Sequence, residues 1–245
     1  MNSLITKPGV HVLILLGAIA SFVFFQFFYP YHLFYQEQNQ LFLFSWDYIT
    51  TYLDKPGWLA CLTGDFLTQF YYYRYAGPTI LTLSILMAGY NVRCGVEDAD
   101  IKGTWIPYTI AIAVMTMLVC FSLHYDYRLS SIIAIAGGAN VFRFSTKILV
   151  STRMFVKKLE NQALRHTSID GTRLPQWITA VSIFISMLVC HWFFGCGMWI
   201  YAALVLLGCI KYINKPGNYT RLAAIAIPLF IIILDKRLYF IDFHT

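Results

Sequence analysis

The sequence predicts an all-α protein: a polytopic membrane helix bundle of about seven transmembrane helices, with two interfacial helices in the first outer loop. Of the 245 residues, 58% are hydrophobic and only 12% are charged, whereas soluble domains carry about 25% charged residues. Long apolar runs recur along the chain between short polar segments. Aromatic residues reach 18%, which suits a protein with much surface at a membrane interface. We predict one integral membrane domain over residues 1–245.

A helix needs about 20 residues to cross the hydrocarbon core, and seven segments approach that length. The predicted spans are residues 9–31, 77–92, 104–123, 129–147, 177–194, 197–213 and 219–235. The first span lacks a small-residue cleavage site, so we predict that it is retained rather than removed as a signal peptide. The fourth is interrupted by Gly137-Gly138 and carries Asn140 and Arg143, which predicts a kink or an early end.

The distribution of lysine and arginine predicts the orientation. With the N-terminus in the cytoplasm and the C-terminus outside, most of the 18 basic residues fall in inside loops, as the positive-inside rule requires. We expect an integral protein of the bacterial cytoplasmic (inner) membrane with this orientation. Residues 148–176 then form a basic cytoplasmic loop that contains Lys157, Lys158, Arg165 and Arg173. We interpret it as a solvated linker, and binding to anionic lipid headgroups is the alternative.

The first outer loop, residues 32–76, is the longest segment without a predicted span. Residues 40–53 and 58–73 both favour helices, and Pro56-Gly57 separates them. In the second segment, aromatic and apolar residues recur at helical spacing. Because both segments are aromatic and weakly charged, we expect juxtamembrane helices that lie in the membrane interface.

Several function classes receive no support from the sequence. The net charge of +6 is spread over loops where topology explains it, so we predict no nucleic-acid partner. The six cysteines show no CxxC spacing, and we predict neither a disulfide framework nor a zinc site. Phosphate-loop, dinucleotide-binding and hydrolase motifs are absent from the sequence.

The candidate catalytic residues are two acids that the topology places at the same outer surface. Glu37 follows the first span, and Asp126 lies in the short turn after the third. Two carboxylates on different loops can act as a general base and as a ligand for an acceptor or a metal. Asp47 and Asp65 are further acids on this side. The alternative is that Glu37 marks the membrane boundary or caps a helix.

Basic residues and histidines near these acids are candidates for substrate or phosphate binding. Arg128, or Arg74, can hold a phosphate or pyrophosphate through a charged fork. His32 and His124 lie at the same outer boundary. An ion pair between Asp126 and Arg128 within the turn is an alternative reading, and so is an interfacial role for each histidine. We expect no obligatory cofactor, although a divalent metal held by His32, His124 and an acid stays an alternative.

This layout resembles the GT-C superfamily of polytopic glycosyltransferases. Members share a module of about seven helices, a long first outer loop with two juxtamembrane helices, an acid after the first span and a second acidic site between the third and fourth spans. Glu37, Asp126 and the helices predicted over 40–53 and 58–73 correspond to these features. The stretch FYPYHLFYQEQNQLFLF also resembles the N-terminus of uncharacterised multi-pass bacterial membrane proteins of unknown function.

The GT-C resemblance implies an inverting transfer of a glycosyl group from a polyprenyl-phosphate-linked donor at the outer leaflet. Glu37, or Asp47, is the implied base, and Asp126 positions the acceptor or a divalent metal. Typical members add further spans and a soluble C-terminal domain, so the alternative is a non-catalytic membrane subunit or scaffold of a larger envelope complex. A transporter ranks third, because the predicted spans hold few ionisable residues. The expected partners are membrane lipids, the lipid-linked donor and a membrane protein.

Overall fold

The computed structural model describes residues 8–39, 42–99, 103, 105–163, 176–210 and 223–229, and this part of the chain contains helices but no strand. The helices are α1 (Pro8–Val23), a π-helical segment (Phe24–Phe28), α2 (Pro30–Asn39), α3 (Trp46–Leu53), α4 (Trp58–Thr68) with a 3₁₀ turn (Gln69–Tyr72), α5 (Ala76–Asp98), α6 (Ile106–Phe121), α7 (Leu129–Ala163), α8 (Gln176–Phe194) and α9 (Gly197–Ile210). Residues 223–229 are also helical. The all-α prediction is confirmed.

Two of the described helices are long and apolar enough to cross a membrane, namely α5 and the Leu129–Thr152 part of α7. A third crossing results if Ile14–Phe28 and Pro30–Gln38 form one broken span, since these two helices meet at a bend of 76°. The helix α6 and most of α8 and α9 are apolar but shorter. The predicted spans over 197–213 and 219–235 extend into residues outside the described part. The described helices therefore support association with a membrane through two or three spans.

The centre of the bundle is formed by α5 and α7. The helix α5 contacts α6 and α7, and α7 also contacts α4, α8 and α9. One buried apolar cluster surrounds Val96, Met187 and Tyr201, and a second surrounds Phe25 and Ile132. Because α7 contributes to both clusters, it holds the two ends of the bundle in one arrangement.

The predicted early end of the fourth span is wrong, because α7 continues as an α-helix through Gly137 and Gly138. A Cβ atom at Gly137 would collide with the Phe194 ring, and one at Gly138 would collide with the carbonyl of Gly197. The two glycines therefore allow close packing of α7 against the α8–α9 turn.

The predicted loop over 148–176 is also partly helical, because α7 extends to Ala163. Residues 148–163 contain neither glycine nor proline, so nothing in this stretch ends the helix. Lys157 and Lys158 thus lie on the last part of α7, whereas Arg165 and Arg173 fall outside the described residues.

The two helices predicted in the first outer loop correspond to α3 and α4. Ser45 caps α3, with its Oγ accepting a hydrogen bond from the Tyr48 amide at 3.3 Å. Residues 42–45 are not helical, so α3 begins later than predicted. The helix α4 packs against α7 and α8 and buries Ala60, Gly64, Asp65 and Thr68. It is part of the bundle, whereas α3 has no buried residue.

Candidate functional site

The segments that carry Glu37 and Asp126 are brought into contact. The side-chain amide Nε2 of Gln36 on α2 donates a hydrogen bond to the carbonyl of Tyr127, at 2.9 Å, in the α6–α7 turn (residues 122–128). The neighbours of Glu37 and Asp126 in the sequence are therefore neighbours in space. The catalytic roles of Glu37 and Asp126 at one outer surface stay a prediction.

His32 lies on the same face of α2 as Gln36, since the two residues are one turn apart. Its Nε2 is 3.2 Å from Nε2 of Gln36. The ring centroid of His32 lies 5.0 Å from that of Tyr29 and 4.7 Å from that of Tyr125. His32 is 1% exposed, so its ring joins α2 to the α6–α7 turn instead of facing an open cavity.

The remaining predicted site residues have more of their surface exposed than His32 has. Glu37 is half-buried, and His124, Asp126, Arg128 and Arg74 are exposed. The Arg74 guanidinium lies 5.6 Å from the centre of the Tyr75 ring. Within the described part of the chain no ion pair joins Asp126 to Arg128, so that alternative for the turn is wrong.

Among the acids of residues 32–76, the buried one is Asp65 on α4. It is 9% exposed. The Tyr52 hydroxyl donates a hydrogen bond to its Oδ2 at 2.7 Å, and the Tyr48 and Tyr52 hydroxyls are themselves 2.7 Å apart. Because Tyr48 and Tyr52 are one turn apart on α3, they form a chain of hydroxyls that ends at the carboxylate.

Burial raises the pKa of Asp65, and the hydrogen bond from Tyr52 and the positive charge of Arg128 act in the opposite direction. Burial, together with the contacts to Tyr48 and Asp65, also raises the pKa of Tyr52 above its ordinary value. Tyr52 therefore stays a neutral donor. Asp65 becomes a carboxyl group that exchanges its proton closer to neutral pH than an exposed aspartate does.

Two further groups share this environment with Asp65. Cys61 lies one turn earlier on α4, and burial and the charge of Asp65 raise the pKa of its thiol. Arg128 and Lys55 lower that pKa, which shows that both positive charges act on the same region. We call Asp65, Tyr52, Tyr48, Arg128 and Cys61 the Asp65 site.

Comparison with known proteins identifies the family to which this chain belongs. Residues 5–244 match a family model described as "Family of unknown function (DUF6057)". The chain belongs to this family. No curated protein and no solved structure matches it. The match fits the resemblance to multi-pass proteins of unknown function, and the relationship of this DUF6057 protein to the GT-C superfamily stays a prediction.

The metal site that the sequence left as an alternative is not found in the described part of this DUF6057 protein. Across residues 8–39, 42–99, 103, 105–163, 176–210 and 223–229, no group of three or more His, Cys, Asp or Glu side chains is placed to hold a metal ion. His32 is enclosed by Tyr29 and Tyr125, whereas His124 is exposed. The two histidines thus do not converge on one site with an acid.

Asp65 is among the acids that the sequence places on the outer side. Its burial and its hydrogen bond from Tyr52 were not predicted. Two patterns in the sequence point to it. Ala60 and Gly64 are small residues one turn apart, typical of a helix face that packs closely. Tyr48 and Tyr52 share that spacing on the preceding helix. The decisive feature is the approach of α4 to α7: a Cβ at Gly64 would lie 2.7 Å from the backbone of Ser130.

Proposed function

We propose that this DUF6057 protein is a membrane transferase that moves a glycosyl group from a polyprenyl-phosphate-linked donor at the outer leaflet. The proposal keeps the predicted topology of about seven spans, with the N-terminus in and the C-terminus out. One observation carries it: the buried carboxylate of Asp65 receives a hydrogen bond from Tyr52 and lies within the electrostatic reach of Arg128.

In this proposal Asp65 is the general base, in place of Glu37 or Asp47. Tyr52 occupies Oδ2 of Asp65, which leaves Oδ1 to accept the hydrogen bond of an acceptor hydroxyl. A base works best when its pKa lies near the working pH, and burial moves Asp65 in that direction. In this proposal Glu37 and Asp126 position the acceptor.

Arg128 supplies the positive charge that such a transfer needs. Its side chain is exposed and still lowers the pKa of both Asp65 and Cys61. A guanidinium that is exposed on one side and close to the base on the other can bind the phosphate leaving group of the donor. Arg74 lies on the adjoining segment as a second candidate for that phosphate.

An aromatic surface next to Asp65 suits the lipid part of the donor. The Phe66 ring follows Asp65 on α4 and packs edge-to-face on Phe42, Phe44 and Phe70, with centroid distances of 5.7, 5.9 and 5.4 Å. Phe44 is 82% exposed. Aromatic faces of this kind receive apolar chains.

The test compares Asp65→Asn and Arg128→Gln with Asp54→Asn, a change at an exposed acid of the same outer segment. Membrane lipids are extracted from cells that carry each variant, and polyprenyl-phosphate-linked sugars are quantified by mass spectrometry. We expect these lipids to accumulate with the first two variants and not with Asp54→Asn. If all variants give the same lipid profile at equal levels of folded protein, the transferase proposal is wrong, and a non-catalytic membrane subunit is favoured.

A further inference from the structure

The N-terminus of α4 and the α8–α9 turn touch through their backbones. The amide of Gly57 donates a hydrogen bond to the carbonyl of Trp192 at 2.9 Å. A Cβ atom built on Gly195 would lie 3.2 Å from the Cα of Gly57. Both glycines have positive φ, 81° for Gly57 and 51° for Gly195. Next to them the Trp58 and Phe193 rings pack with centroids 5.5 Å apart. The relative position of the two segments is thereby fixed.

Each side of this contact carries a cysteine. The Cys61 amide donates to the Gly57 carbonyl at 3.0 Å, so Cys61 lies one turn above the contact. Cys196 directly follows Gly195. Both cysteines are free thiols; Cys196 is exposed and Cys61 is half-buried. The charge of Cys61 acts on the Cys196 thiol, as expected for cysteines on two segments whose backbones touch.

We propose that Cys61 and Cys196 are a dithiol site that oxidises to an intramolecular disulfide joining α4 to the α8–α9 turn. The predicted topology places both segments outside, where disulfides persist. The proposal goes beyond the transferase function and does not depend on it. It also departs from the spacing of the cysteines in the sequence, which predicts no disulfide framework.

The oxidant is an external disulfide, either a small molecule or a protein. The exposed thiolate of Cys196 attacks one sulfur of that disulfide, which forms a mixed disulfide and releases one external thiol. The Cys61 thiolate then attacks the Cys196 sulfur and releases the second external thiol. The two protein thiols lose two electrons, the external disulfide gains them, and the two protons end on the released thiols. Burial raises the pKa of the Cys61 thiol, so its attack on the mixed disulfide becomes faster as pH rises.

The first measurement uses the full chain in detergent, equilibrated with mixtures of oxidised and reduced glutathione. Free thiols are blocked with N-ethylmaleimide at acidic pH, and linked peptides are identified by mass spectrometry. We expect a Cys61–Cys196 peptide to be the main intramolecular link, and to disappear when the mixture is made reducing. Because the wild-type chain is measured, the outcome does not depend on a variant folding.

Variants provide the controls. Cys61→Ser and Cys196→Ser should each abolish the link and instead form a mixed disulfide with glutathione at the remaining cysteine. Cys120→Ser, at an exposed cysteine on α6, should leave the link unchanged. Persistence of free Cys61 and Cys196 in the most oxidising mixture would overturn the proposal, and so would a link of Cys196 to Cys190, the buried cysteine on α8.

Discussion

The hydroxyl of Tyr52 on α3 donates a hydrogen bond to Oδ2 of Asp65 on α4, with the two oxygens 2.7 Å apart. This bond joins a helix without buried residues to a helix packed inside the bundle. A hydrogen bond to an ionised carboxylate is stronger than one between neutral groups. The position of α3 is therefore coupled to the protonation state of Asp65.

Replacing Tyr52 by phenylalanine should raise the pKa of Asp65 further, because the hydrogen bond from Tyr52 lowers it in the native protein. The change is measured by following the infrared band of the protonated carboxyl group against pH, with Asp65→Asn used to assign the band. Tyr48→Phe serves as the control, since it removes only the second hydroxyl of the chain. The pKa shift of Asp65 in Tyr48→Phe should be smaller. An equal shift in both variants would contradict the arrangement in which Tyr52, and not Tyr48, contacts Asp65.

Replacing Asp65 by asparagine should remove a pH-dependent penalty on stability. Because the pKa of Asp65 is raised in the fold, the folded protein binds this proton more tightly than the unfolded chain does. Wild-type stability then falls as pH rises from the ordinary aspartate pKa through the raised value. The Tm of Asp65→Asn relative to wild type should therefore increase over that pH range in detergent. A Tm difference that is constant with pH would contradict the assignment.

Replacing Gly64 by alanine should destabilise the bundle by about 1–3 kcal/mol, the cost of overpacking a close contact. The added Cβ would lie 2.7 Å from the Cα, Cβ and N of Ser130, and backbone atoms at that distance have to move. Gly17→Ala on α1 is the matched control, since nothing lies within 4 Å of its added Cβ. That variant should be neutral or gain up to about 1 kcal/mol from helix propensity. Chemical or thermal unfolding in one detergent compares the two.

The ion pair between Arg143 on α7 and Asp98 at the end of α5 should contribute little to stability. Its Nε–Oδ2 distance is 3.4 Å, and the two side chains keep 21% and 34% of their surface exposed. Pairs of this kind are worth about 0–1 kcal/mol. A double-mutant cycle with Arg143→Met and Asp98→Asn should give a coupling energy in that range. A coupling of several kcal/mol would show that the pair is desolvated by the membrane or by a partner.

The predicted orientation can be read from the native cysteines. With the N-terminus inside, Cys196 faces the outside and Cys94, near the end of α5, faces the cytoplasm. A membrane-impermeant maleimide should label Cys196 in intact cells with a permeabilised outer membrane, after mild reduction. Cys94 should be labelled only after the cytoplasmic membrane is opened. Labelling of Cys94 first would show the reverse orientation and would place the Asp65 site inside the cell.

The parts of the fold that depend on local sequence were predictable. The break at Pro56-Gly57 separates α3 from α4 as expected. The burial of Asp65 was not predictable, because it depends on the approach of Gly64 to Ser130, two residues far apart in the sequence. The role of Gly137 and Gly138 was not predictable for the same reason. These glycines allow α7 to contact Phe194 and Gly197, which lie far away in the sequence.

The contact between Gly57 and Gly195 has a consequence for how sequences of this fold can change. A side chain at a helix interface can be exchanged for another, because neighbouring rotamers adjust to it. Two touching backbones with positive φ have no such freedom, and neither residue can acquire a side chain without straining its own conformation. Homologues that keep the junction are therefore confined to glycine at both positions. Loss of glycine at either one marks a chain in which α4 meets the α8–α9 turn in a different way.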